Sequence, residues 1–427
     1  MKQILIYKKV IENGEYDILK EIDYSEIANT VKTKYAGLSP NWANRLWLQG
    51  IYSEIFSSNN QCEFLQDSMT LDEINSSYDL IILPMANIFW TGHIQDLERL
   101  ASIFEKISIP TFVIACGVQA DSYDDLPQVL EALKKPAQRF ICAIYKTGGE
   151  FALRGEFTKE FFDRLGFHSA VVTGCPSLFQ FGRNLKIEKE IVDRQKFRPV
   201  FNGRISGIAP FLNEFKSSIY FDQCDYFPLV YCPECWGSGS YSEVKKLVHR
   251  YGYDAVALAA ESRLKLYPEM QRWYACLKNG EYHFSFGSRI HGSIMSILSG
   301  IPAVIWTCDS RTREMAEFFD IPRTDKIPAD LYELYQNTNY ARFNRNFPDR
   351  FDAFEKFLQD CGIVDSINTR NLFFDIEKVK EPYEGLWNEP SESVRKLLQE
   401  HKTLLKMGKA TSDLITRYSN KFNALKR

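Results

Sequence analysis

The chain has 427 residues, 45% hydrophobic and 14% aromatic, which is material for two buried cores and an appendage at roughly 100–200 residues per domain. Its net charge of −3 offers no general attraction to nucleic acid or an anionic membrane, and no apolar stretch approaches the ~20 residues of a membrane span. The ten cysteines are scattered, and Cys116, Cys142 and Cys308 sit in or beside apolar runs. That is the pattern of buried free thiols in a reducing cytosol, not of a disulfide framework.

The apolar run Gln3–Tyr7 is too short for the core of a signal peptide and reads as a first strand. A helical pattern at Trp42–Phe56 follows, then strand Asp79–Leu83, helix Ile94–Ile107, strand Pro110–Cys116 and helix Leu126–Leu133. Strand Arg139–Tyr145, helix Thr158–Leu165 and strand Ser169–Thr173 complete the first series. Several of these strands are almost wholly apolar, as in a parallel sheet covered on both faces. The polar stretch Arg183–Pro199, with three Arg, three Lys and two Glu, reads as a linker.

A second series has strands Ile205–Ala209, Ala255–Ala259, Tyr282–Phe286 and Ala303–Trp306. Helices near Ser242–Tyr251, Leu264–Leu277, Gly292–Leu298 and Arg313–Phe319 separate or follow them. The alternation predicts an α/β protein of two doubly wound, Rossmann-like domains facing a cleft, residues 1–190 and 200–328, with a helical extension over 329–427. In that extension Ser393–Arg427 carries nine Lys/Arg against Glu400 and Asp413, with Leu397, Leu398, Leu404, Leu405, Leu414 and Ile415 as apolar anchors. It reads either as a helix packed on the body with a solvated basic face, or as a contact with a membrane surface or an anionic acceptor.

The segment Glu281–Trp306 reads as strand, polar turn, helix, glycine stop and next strand. Ligands of open parallel sheets bind beyond the carboxyl ends of the strands, and there Ser288, Arg289 and His291 stand at a helix mouth that favours an anion. Arginine adds a planar fork for carboxylate or phosphate, histidine exchanges protons near neutrality, and Gly287 and Gly292 permit close backbone approach to a ligand. The plain alternatives are an Arg289 paired with a surface acid and a His291 that only caps the helix. After the next strand, Asp309 reads as a helix cap or as a residue that contacts ligand or orients His291, and Arg311 adds positive charge beside the same cleft. In the first half, Gln119, Arg154 with Glu156, and Thr173–Ser177 follow strands and are placed to line the opposite wall; each alone is an ordinary turn. The lone pair Cys232 and Cys235 has no second pair at zinc spacing and reads as loop cysteines. His93, His168, His249, His283 and His401 have no partners at metal-binding spacing, and no phosphate loop or nucleophile elbow is present.

Taken in order, Gly117-Val118-Gln119, Arg154-Gly155-Glu156-Phe157-Thr158, Thr173-Gly174-Cys175-Pro176-Ser177, Ser288-Arg289-Ile290-His291-Gly292, Gly300-Ile301-Pro302 and Asp309-x-Arg311 resemble the polysaccharide pyruvyl transferase family over roughly residues 1–325. The resemblance implies a GT-B-like pair of domains, acceptor side first and donor side second. It also implies transfer of pyruvate from phosphoenolpyruvate onto two sugar hydroxyls as a cyclic ketal, with release of phosphate. By it Arg154, Arg289 and His291 would hold phosphoenolpyruvate, Ser288, Gly292 and Arg311 would line that site, and His291 would be the leading proton-transfer group. Asp309, Gln119 and Glu156 would support it.

No metal and no cofactor are called for beyond the co-substrate. The partners expected are phosphoenolpyruvate and a saccharide acceptor, lipid-linked or free, in the cytoplasm or at the inner membrane face. Two stretches depart from the family's pattern: Pro40-Asn41-Trp42-Ala43-Asn44-Arg45 stands where a glycine-rich turn is usual, and Pro84-Met85-Ala86-Asn87 where paired glycines are. The competing functions are a glycosyltransferase of the same architecture using a nucleotide sugar, and a sugar- or phosphate-binding protein without turnover.

Overall fold

The computed structural model describes residues 2–7, 29–30, 41–56, 60–364, 392–410 and 413. Strands β1 (Gln3–Ile6), β2 (Gln61–Phe64), β3 (Leu80–Pro84), β4 (Thr111–Cys116), β5 (Glu150–Leu153) and β6 (Val171–Val172) form one sheet in the order β2-β1-β3-β4-β5-β6. Strands β7 (Pro199–Asn202), β8 (Ile219–Phe221), β9 (Leu264–Lys265), β10 (Phe284–Gly287), β11 (Ala303–Trp306) and β12 (Arg323–Thr324) form a second, ordered β12-β11-β10-β7-β8-β9. Every pairing is parallel. β3 and β4 are buried at every position, as strands covered on both faces must be. The expected pair of doubly wound α/β sheets is therefore present.

One face of the first sheet is sealed by helices Ile94–Phe104 and Leu126–Lys146 through Leu97, Phe104, Leu133, Phe140 and Ile144. Its other face opens into a core shared with the second sheet. There Ile82 and Ile114 meet Trp47 and Ile51 of helix Asn44–Phe56, Ile294 and Met295 of helix Ile290–Leu298, and Phe354 of helix Ala341–Asp360. That last helix returns to the first domain, where Phe354 stacks on Phe179 at 5.1 Å. The two sheets are thus joined by packed apolar surface as well as by chain.

Three expected strands are helical. In Arg139–Tyr145 the buried Phe140, Ile141 and Ile144 continue a stripe begun at Leu133 and Ala137, so a period of 3.6 over the long window prevails over a short apolar run. Ile205–Ala209 opens helix Ile205–Glu214, whose buried side is Ile205, Ile208, Phe211 and Leu212. Ala255–Ala259 lies in helix Tyr253–Ala260. Conversely, the expected helix Leu264–Leu277 begins with β9 and becomes helical only at Met270–Lys278, and the end of the expected linker supplies β7.

All ten cysteines are free, but Cys142 and Cys308 are exposed, contrary to expectation, Cys142 on the helix Leu126–Lys146 and Cys308 in the turn that follows β11; Cys116 is buried. The C-terminal helix Glu392–Glu400 and the helical residues 402–410 bury Val394, Leu398 and Leu405 against the second domain, leaving Leu404 62% and Met407 63% exposed. Leu414 and Ile415 lie outside the described residues. Among the described residues no helix is long and apolar enough to cross a membrane.

Candidate active site

Parallel strands bring the residues that follow them to one edge of a sheet. From the first sheet these include Asn87 after β3 and Arg154 after β5; from the second, Asp222–Asp225 after β8, Ser288–His291 after β10 and Asp309–Arg311 after β11. The order of the second sheet reverses between β7 and β10, and the turn after β10 is built at that point. Asn202, closing β7, accepts the Arg289 backbone N–H at 2.9 Å through Oδ1 and donates from Nδ2 to Ser293 Oγ at 3.3 Å. A Cβ on Gly287 would lie 2.0 Å from the Asn202 carbonyl oxygen, and one on Gly292 2.8 Å from Asn202 Cβ. These two glycines therefore admit the neighbouring strand closely. Ser288 is buried, and its Oγ accepts the Arg204 N–H at 3.3 Å.

The two functional side chains of the turn part company. The Arg289 guanidinium donates through Nη2 to Asp225 Oδ2 at 2.8 Å and to Cys224 Sγ at 3.6 Å. His291, buried, points toward the first domain, with Nε2 3.9 Å from Cys175 Sγ. Burial, and then the charges of Arg154 and Arg311, bring its pKa down to about 3. The imidazole is therefore neutral over the whole physiological range.

Arg154 is 3% exposed. It donates from Nη1 to Asn87 Oδ1 at 2.8 Å and lies 5.9 Å from the centre of the Trp47 ring, a cation–π distance. Its Nε and Nη2 have no hydrogen-bond partner among the described residues, and neither do Trp47 Nε1 and Gln223 Nε2. A buried donor left unpaired costs about 1–3 kcal/mol, so these need an explanation, and an anion on the unpaired side of Arg154 is one. β4, which carries the adjoining loop, breaks register between Val113 and Cys116, with Ala115 at φ 66°. Such backbone is retained where the surroundings over-determine it.

Asp309 caps helix Ser310–Phe318, accepting the Thr312 N–H at 2.9 Å, and its Oδ2 takes Arg311 through Nε at 3.1 Å and Nη2 at 2.6 Å. The cap is thus present and Arg311 is engaged, while both stay close to the cleft. Gln119 is half-buried with its N–H on the Phe89 carbonyl, and Glu156 is exposed in the first turn of helix Glu156–Arg164. Among the described residues neither side chain bonds to the cluster. Cys232 precedes the short turn Pro233–Trp236 and Cys235 lies within it, Cys232 in the second domain's core and Cys235 packed against it, and no group of metal-binding side chains occurs among the described residues.

Sequence reasoning missed Trp47, Asn87, Asp225 and Glu314. Trp47 lies two residues beyond one of the stretches that departs from the family pattern, and Asn87 ends the other; those departures were the available signal. Glu314, wholly buried, accepts hydrogen bonds from Thr158 of the first domain, and its only trace in the sequence is its spacing along a helix.

A family model described as polysaccharide pyruvyl transferase matches residues 3–310. No match was found among curated proteins. Among solved structures, the S. aureus MnaA–UDP co-structure is similar at a TM-score of 0.38 and 11% identity, over 86% of this chain and 99% of that one. The glycosyltransferase SnogD from Streptomyces nogalater is similar at a TM-score of 0.31 and 8% identity, over 85% and 99%. Likenesses this weak say nothing about what the chain binds.

Proposed function

The chain belongs to the polysaccharide pyruvyl transferase family, and from that premise we propose that it moves pyruvate from phosphoenolpyruvate onto two hydroxyls of a sugar, in a surface polysaccharide or its precursor, as a cyclic ketal. The observation that carries this reading is Arg154, buried with its Nε and Nη2 unpaired among the described residues, close enough for its charge to act on a neutral His291. Phosphoenolpyruvate presents a carboxylate and a phosphate, and a planar arginine edge suits either. Trp47 Nε1 supplies a further donor beside it. Arg289 joins the donor site by exchanging Asp225 for the ligand's second anionic group.

The two protons lost by the sugar hydroxyls balance the reaction. One ends on the methylene carbon, which becomes a methyl group and leaves the adjacent carbon electrophilic; the other leaves with phosphate. One sugar hydroxyl attacks the electrophilic carbon, and the second then displaces phosphate. His291 is uncharged and so can accept the attacking hydroxyl's proton. Its lowered pKa makes it a weak base, and an anionic donor beside Arg154 offsets part of the positive charge that lowers it, so we assign it as the base for the attacking oxygen in the loaded site. The scheme calls on no cofactor beyond the co-substrate. The test incubates the protein with candidate saccharides and either phosphoenolpyruvate or nucleotide sugars. Phosphate release with pyruvate bound to the sugar is expected; release of nucleotide, with phosphoenolpyruvate ignored, sinks the reading in favour of a glycosyltransferase.

A further inference from the structure

Helix Ser310–Phe318 belongs to the second domain, yet one of its faces is devoted to the first. Ser310, Arg313, Glu314 and Glu317 fall at i, i+3, i+4 and i+7, a single stripe of a helix. Ser310 Oγ accepts the Ala120 N–H at 2.9 Å and donates to the Val118 carbonyl at 3.3 Å. The Arg313 guanidinium lies 4.3 Å from the centre of the Tyr123 ring, whose hydroxyl donates to Glu317 at 2.9 Å. Between them Glu314 accepts the Thr158 backbone N–H at 3.1 Å and the Thr158 hydroxyl at 3.0 Å. Thr158 Oγ1 in turn accepts the Val118 N–H at 3.0 Å. A carboxyl of one domain thus caps the first turn of a helix in the other.

The same carboxyl lies close to the anion site. A Cβ on Gly117 would sit 3.1 Å from Arg154 Cδ and 3.5 Å from Glu314 Oε1, and one on Gly155 3.0 Å from Glu314 Oε2. The two glycines leave the space that these side chains fill.

We propose that Glu314 is a positioning residue for the donor: docked from the second domain, it anchors the turn behind Arg154 and competes for that guanidinium, so an anionic donor binds best when Glu314 carries a proton. The proposal rests on reading Arg154 as the donor's anion site. An ionised Glu314 attracts Arg154 and repels an anion held there; a protonated one does neither. Burial pushes Glu314 up to about 8, while the hydrogen bonds from Thr158 and the charge of Arg154 pull it down and Asp309 pushes it up. Cys116 and Tyr123 also face it, and burial above all raises both, keeping them neutral. An anion on Arg154 cancels that residue's downward pull, so binding draws a proton onto Glu314.

The experiment titrates phosphoenolpyruvate, and separately inorganic phosphate, into wild type, Glu314→Gln and Thr158→Val from about pH 6 to about pH 10 by calorimetry, with thermal melts to confirm folding. Wild-type affinity for both anions should fall as pH rises through about 8 and level off once Glu314 is ionised. Glu314→Gln should abolish that fall. Thr158→Val, which removes a hydrogen bond favouring the carboxylate, should move the break to higher pH. The same slope in Glu314→Gln as in wild type overturns the proposal; if that variant does not fold, an unshifted break in Thr158→Val does so. Phosphate binding with the expected pH dependence but no turnover of phosphoenolpyruvate upholds the proposal and sinks the pyruvyl reading. Failure of either anion to bind at any pH sinks both.

Discussion

Two arginines stand at the edges of this cleft in opposite conditions. Arg154 is buried, held by Asn87 and Trp47, and keeps two nitrogens unpaired among the described residues. Arg289 is more than a third exposed and already paired with Asp225. Unpaired donors inside a protein are costly, whereas a half-exposed ion pair contributes little and is readily exchanged. On the proposed reading the first arrangement is a preformed anion seat. The second is a latch that must be released before it grips a ligand, so affinity should depend on Arg154 more than on Arg289, although the sequence singles out Arg289 first.

The largest effect is expected at the neutral imidazole beside the preformed seat. His291→Asn should lower turnover by about 10²–10⁴ while donor affinity changes little, measured as phosphate release at saturating donor beside calorimetric binding. A loss confined to affinity would make His291 part of the seat. Since burial and the neighbouring charges bring His291 down to about 3, its titration should leave no break in the free enzyme's pH profile near 6.5; a break there that disappears in His291→Asn would show that the imidazole titrates in its ordinary range and would contradict the lowered pKa. Next comes the support of the seat. Asn87→Ala deprives Arg154 of its one side-chain acceptor among the described residues and should weaken donor binding roughly tenfold, with unchanged affinity showing that Trp47 and packing alone hold the guanidinium. The smallest effect is at the latch: Asp225→Asn releases Arg289 and should tighten donor binding about two- to fivefold, whereas weaker binding would mean that Asp225 orients Arg289 for the ligand.

The same contrast shows what was legible beforehand. A strand, a polar turn and a helix in sequence place Arg289 and His291 at a ligand-binding edge, because that inference needs only local order and the geometry of parallel sheets. The partners that set their states come from far along the chain: Asp225 lies 64 residues from Arg289 and Glu314 lies 156 from Thr158. No local pattern announces such pairs, and the stripe Ser310, Arg313, Glu314, Glu317 reads by itself as a solvated face. Strands of two or three residues such as β6, β8 and β9 are too short to display a period of two, and Arg139–Tyr145 could be read correctly only with the turns before it.

The most direct test sets the two arginines side by side, with calorimetric titration of phosphoenolpyruvate into wild type, Arg154→Lys and Arg289→Lys. Each substitution keeps the charge and loses the planar fork. Arg154→Lys should lose roughly 10- to 150-fold in affinity, the equivalent of about 1.5–3 kcal/mol for charge-assisted hydrogen bonds made at a buried edge, and Arg289→Lys less than about tenfold. Loss concentrated at Arg289, with Arg154→Lys binding like wild type, would contradict the assignment of the buried arginine as the anion seat.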